Sequence, residues 1–111
     1  MEEPNLKYIK ELSEGDIIFE NKLISVLKKE LPIEYEEFLK NFKEQNFIKT
    51  ADNVHKLKHK ISILGLAKGY EEASIFENDL RERKEIKGYE SFVKNIEILI
   101  DFLSAPLNKI L

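Results

Sequence analysis

The chain has 111 residues, 42% hydrophobic and 35% charged with only four glycines and three prolines, which is the composition of one ordinary globular domain and gives no sign of a fibre, a repeat array or wholesale disorder. Its formal net charge of −3 argues against nucleic acid as the main partner, because such binding rests on many cationic contacts to phosphate. The lack of cysteine removes disulfides, thiol catalysis and thiolate metal sites, and fits a reducing compartment. The opening stretch MEEPNLKYIKEL is acidic and polar, unlike a secretory signal, and no run approaches the roughly 20 apolar residues of a membrane span. A soluble cytoplasmic protein is expected.

Apolar residues recur at three- and four-residue intervals in every long segment, and no segment alternates as a half-buried strand would, so the expected fold class is all-α. A short first helix over Asn5 to Leu12 would bury Leu6 and Ile9, with Tyr8 as a further candidate, before the SEGD turn. Asp16 is the expected N-cap of the second helix, whose stripe reads Phe19, Leu23, Val26, Leu27 and Leu31. Pro32 then either kinks one long helix or starts a new one, and Tyr35, Phe38, Leu39 and Phe42 carry the apolar face on to Glu44. After a turn at Gln45 and Asn46, a helix from Phe47 to Leu64 carries both histidines, and Gly65 marks a chain reversal or a close helix contact. The next helix, Leu66 to Arg83, presents Tyr70, Ala73, Phe76 or Glu77, and Leu80, and Gly69 weakens it. A KEIKG loop leads to the last helix, with Tyr89, Phe92, Val93, Ile96, Leu99, Ile100 and Leu103, which runs until Pro106. Four principal helices with short connections predict a single domain over residues 1–111, an antiparallel four-helix bundle with a short additional N-terminal helix.

The stretch DNVHKLKHKISILGL, Asp52 to Leu66, concentrates the unusual chemistry. Lys56, Lys58, Lys60 and Lys68 lie in a segment without a carboxylate, and Glu71, Glu72, Glu77 and Asp79 follow it, so a small basic patch sits on an acidic body. With about 100° per residue and His55 at zero, Phe47, Val54, Leu57, Ile61 and Leu64 project between roughly 180° and 280° and form the core stripe. On the same projection His59 lies about 40°, Ser62 about 20° and Lys58 about 60° from His55, which puts them on one solvent-facing stripe. Ile48 and Leu66 project about 20° from His55 and Ile63 about 80°, apolar positions that are either scattered exposed hydrophobes, with Leu66 alternatively part of the next helix, or a docking surface around a reactive centre. An exposed imidazole keeps neutral, nucleophilic nitrogen near neutral pH and can accept a phosphoryl group, with Lys58 as a point charge for its oxygens; Lys56 and Lys60 read as solvated flank charges.

These residues resemble the histidine-containing phosphotransfer (HPt) family of two-component phosphorelays. The family's signature is His, any residue, Leu, Lys, usually Gly, then Leu-Gly after a spacer of four; His55, Leu57, Lys58 and Leu64-Gly65 match it. ELSEGDIIFENKLISVLKKELP looks like the start of the family's long second helix, and YEEASIFENDL resembles its fourth-helix pattern, with Phe76-Glu77 as the apolar-Glu pair. The resemblance implies a helical bundle, His55 as phosphoryl acceptor, Lys58 as its electrostatic partner and Gly65 as the site of close helix packing. The implied partners are response-regulator receiver domains, which would supply the aspartate and Mg²⁺, together with a hybrid sensor histidine kinase. His59 departs from the pattern, standing where a small residue is usual, and is expected with Ser62, Ile48, Ile63 and Leu66 in receiver docking. No Gly-rich nucleotide loop is present, so a monomeric carrier without kinase activity or a cofactor of its own is expected.

Two rival readings start from the same residues. Histidines at i and i+4 can hold zinc or copper, with Asp52 one turn earlier as a third ligand, although no HExxH glutamate is present and neighbouring lysines oppose a dication. Alternatively the chain is a helical adaptor that binds receiver or kinase domains without phosphotransfer. The glutamates at 34, 36 and 37 read as a solvated helix face.

Overall fold

The computed structural model describes residues 2–105. Five helices account for its regular structure: α1 Lys7–Ser13, α2 Ile17–Lys43, α3 Phe47–Ile63, α4 Ala67–Glu82 and α5 Tyr89–Ser104. No strand occurs among the described residues, and no helix there is long and apolar enough to cross a membrane. Pro106, the expected stop of α5, lies outside the described residues. Helix α3 packs most extensively on α4 and next on α2, while α5 lies against both α2 and α4.

Helix α2 begins where expected, since the Asp16 carboxylate accepts from the Phe19 amide at 3.0 Å. It passes through Pro32 without a break. The buried positions Ile24, Leu27 and Leu31 keep one register with Tyr35 and Phe38 across the proline. Each such burial contributes about 1.5–3 kcal/mol, which together outweighs the roughly 3 kcal/mol that an interior proline costs. The core end of α2 differs from expectation in that Ile24 is buried and Phe19 and Val26 are exposed. The true stripe steps 20, 24, 27, 31, 35, 38, so Phe19 and Val26 fall one position off its edge, and the buried member of the first turn is Glu20.

The core closes around Phe38, whose ring touches those of Tyr35, Phe42, Phe76, Tyr89 and Phe92 at centroid distances of 4.9 to 6.2 Å. Two polar ties cross between helices: the Tyr35 hydroxyl donates to Glu97 at 3.0 Å, and the Asn41 amide donates to the Asn53 carbonyl oxygen at 2.7 Å. Burial and the Glu97 carboxylate push the Tyr35 phenol well above its ordinary pKa, so the hydroxyl stays a donor.

The turn between α3 and α4 is built by the N-terminal segment. Gly65 adopts φ +95°, a left-handed conformation, and the space a Cβ would need is filled by the Asn5 side chain. The Asn5 amide donates to Leu64 O at 2.8 Å. Leu66, the N-cap residue of α4, has no side-chain oxygen, and the Glu2 carboxylate accepts instead from the Lys68 and Gly69 amides at 2.8 and 2.9 Å. This strap seats α1 beside the end of α3. Leu6 and Ile9 are buried as expected, and the further candidate, Tyr8, is half exposed because it faces the α3 surface rather than the core.

Candidate functional site around His55

Helix α3 starts under an Asn46 cap and buries Ala51, Val54, Leu57 and Ile61 on one stripe, which turns the opposite side outward. His55 has a side-chain exposure of 52%, and His59 and Ser62 are exposed beside it. The His59 ring stands nearly perpendicular to that of His55, centroids 5.0 Å apart, and lies 6.3 Å from the Tyr70 ring. Tyr8, His59, Ser62 and Ile63 line a shallow surface hollow next to the imidazole. Ile48 is half exposed, about two turns toward the N-terminus.

Leu66 does not join this surface. It is 1% exposed and belongs to the core, because α3 ends at Ile63 and the Gly65 turn redirects the chain, so the helical projection does not extend to residue 66. The lysines also differ from expectation. Lys58 is not a free solvent-facing charge: its side chain is 13% exposed, its ammonium sits 2.9 Å from Glu77 Oε1, near Ser74 Oγ at 3.5 Å, and 5.5 Å from the Tyr70 ring centroid. Lys60 reaches across to α2, where it pairs with Glu34 at 3.0 Å and Glu30 at 3.4 Å; neither Lys60 nor Glu34 is a merely solvated charge.

Glu77, on α4, organises the site. Its side chain is 11% exposed and receives Nδ1 of His55 at 3.2 Å, Lys58 at 2.9 Å and Arg81 at 2.9 Å. Arg81 is anchored in turn by Asp52 at 3.0 Å. Burial works to raise the Glu77 pKa, but the hydrogen bonds from Lys58, Arg81 and His55 outweigh it and hold the carboxyl below its ordinary value. The same carboxylate raises the Arg81 pKa. An ionised carboxylate only accepts, so in the neutral imidazole the proton facing Glu77 must be on Nδ1. The lone pair is then on Nε2, the far ring nitrogen of an exposed side chain.

His55 and Lys58 therefore meet at one carboxylate of another helix, Glu77, rather than side by side on a solvent-facing stripe. Glu77 and Arg81 were not singled out in sequence for this role. The available signal was a charged residue at a core position of α4, between Phe76 and Leu80 on the buried stripe. As for a metal, the Asp52 carboxylate is engaged by Arg81, and no group of three ligating side chains occurs among the described residues.

No protein-family model, curated protein or solved structure matches this chain.

Proposed function

We propose that the protein is a phosphoryl carrier of the histidine phosphotransfer type, in which Nε2 of His55 accepts a phosphoryl group from a receiver-domain phosphoaspartate and passes it to the aspartate of a second receiver. The observation that carries this reading is the Glu77 contact to Nδ1, because in the neutral ring it holds the proton on Nδ1 and leaves the lone pair on the exposed Nε2. The match of His55, Leu57, Lys58 and Leu64-Gly65 to the HPt signature supports it independently. In this reading α2 to α5 form the antiparallel four-helix bundle of that family, and α1 is the additional short helix.

The Nε2 lone pair attacks phosphorus as the acyl phosphate P–O bond breaks and the aspartate leaves as a carboxylate. Positive charge then develops on the imidazole, and the Glu77 carboxylate at Nδ1 stabilises it. Lys58 neutralises the phosphoryl oxygens by turning away from Glu77, which keeps Arg81 as a counter-charge after Lys58 has left. Transfer onward reverses these steps. The receiver brings the Mg²⁺ and most of the positioning, so the chain acts as a carrier and not as a kinase. It works as a monomer in the cytoplasm, downstream of a hybrid sensor histidine kinase.

Incubation with a panel of phosphorylated receiver domains tests the reading. Phosphoryl label should appear on the wild-type chain within minutes and not on His55→Gln. A folded wild type that takes label from no receiver would leave binding without transfer, the adaptor reading, as the better account.

A further inference from the structure

We propose that His55 and His59 together form a two-histidine chelate for a borderline transition dication of the Zn²⁺, Ni²⁺ or Cu²⁺ class, and that the ion occupies the same Nε2 of His55 that accepts the phosphoryl group. The histidines are one turn apart on α3, both exposed, with ring centroids 5.0 Å apart. A tetrahedral ion with metal–nitrogen bonds of about 2.0–2.1 Å needs its two nitrogens about 3.3 Å apart, a spacing that rings at this separation can present by rotation of their side-chain torsions. The remaining coordination positions are left to water, so the pair supplies fewer protein ligands than the four of a closed structural site.

The second observation is Glu77. A ligating imidazole commonly donates its other N–H to a carboxylate, which fixes the tautomer and raises the basicity of the ligating nitrogen, and His55 already has that partner at 3.2 Å. The lysines around the pair do not repel a dication as their sequence position implies. Lys58 is neutralised by Glu77 and Lys60 by Glu34 and Glu30, while Lys56 lines a separate groove with Lys40, Lys49, Glu37 and Asp52. The phosphoryl group and the ion then compete for one lone pair, so metal loading switches the carrier off. This consequence rests on the phosphotransfer reading; the chelate itself does not.

Titration of ¹⁵N-labelled full-length protein with Zn²⁺ alone, in a non-coordinating buffer, tests the chelate directly. The expected result is one ion per chain, perturbation of both the His55 and His59 ring nitrogens, and at least tenfold weaker binding in His59→Ala and in His59→Gln. Unmoved ring resonances, or equal affinity in both variants, would overturn the proposal. Phosphoramidate uptake with and without Zn²⁺ tests the competition: uptake should fall with site occupancy and return when the ion is chelated away. Occupied histidines with undiminished uptake would overturn the shared nitrogen. A wild type that takes up no phosphoryl group even without metal would instead refute the carrier reading and leave the binding result standing.

Discussion

Replacing Glu77 by glutamine removes the one negative charge that His55, Lys58 and Arg81 share, with little change of shape. Glutamine keeps one acceptor oxygen and gains an amide donor, so it cannot accept from all three partners. If the amide faces Nδ1, the imidazole proton moves to Nε2 and the exposed nitrogen loses its lone pair. A hydrogen bond to a charged group is worth about 1.5–3 kcal/mol, which corresponds to roughly 10- to 100-fold in tautomer population. Phosphoryl uptake should therefore fall at least about tenfold, and the folded state should lose about 1.5–3 kcal/mol. Long-range ¹⁵N–¹H correlation spectra read the tautomer directly, and urea unfolding reads the stability. A wild-type His55 protonated on Nε2 when neutral, or an unchanged Nδ1–H tautomer in Glu77→Gln, would refute the reasoning whatever the protein's activity.

The same carboxylate makes stability depend on pH in a fixed direction. Its folded pKa lies below the ordinary glutamate value of 4.5, so its contribution is complete above that value and is lost as pH falls through the folded pKa. The urea midpoint should drop more between pH 6 and pH 3 in wild type than in Glu77→Gln, and parallel curves would contradict this. At Gly65, alanine meets a left-handed backbone and the Asn5 side chain, so Gly65→Ala should lose at least about 1–2 kcal/mol. Part of that loss should return in the double variant with Asn5→Gly, as chemical denaturation would reveal. Phe38→Ala removes the ring at the centre of the aromatic core and should cost about 3–5 kcal/mol, checked by the same assay. Lys58→Ala should slow phosphoryl uptake while leaving the His55 tautomer in place, since Glu77 still faces Nδ1; the rate and the ¹⁵N spectrum are measured together.

The helical class and element boundaries were legible in the sequence because they follow from local spacing: the Asp16 cap, the Gln45-Asn46 turn and the Gly65 reversal each depend on a few neighbouring residues. The projection of α3 also placed His55, His59 and Ser62 on the exposed side. It failed at Leu66 because the projection assumes a helix that Gly65 has already ended. The continuity of α2 through Pro32 was undecided in sequence, since the burial that sustains it comes from helices far along the chain. Distance explains Glu77 as well: its contacts to His55 and Lys58 span 22 and 19 positions and depend on how α4 lies against α3, which periodicity does not specify. The Lys60 tie to Glu34 is of the same kind.

The most direct test of the central claim is intact mass after incubation with phosphoramidate, read before and after mild acid. The wild type should gain one phosphoryl group that is lost in acid and absent from His55→Gln. An acid-stable gain, or an equal gain in the folded His55→Gln variant, would contradict it.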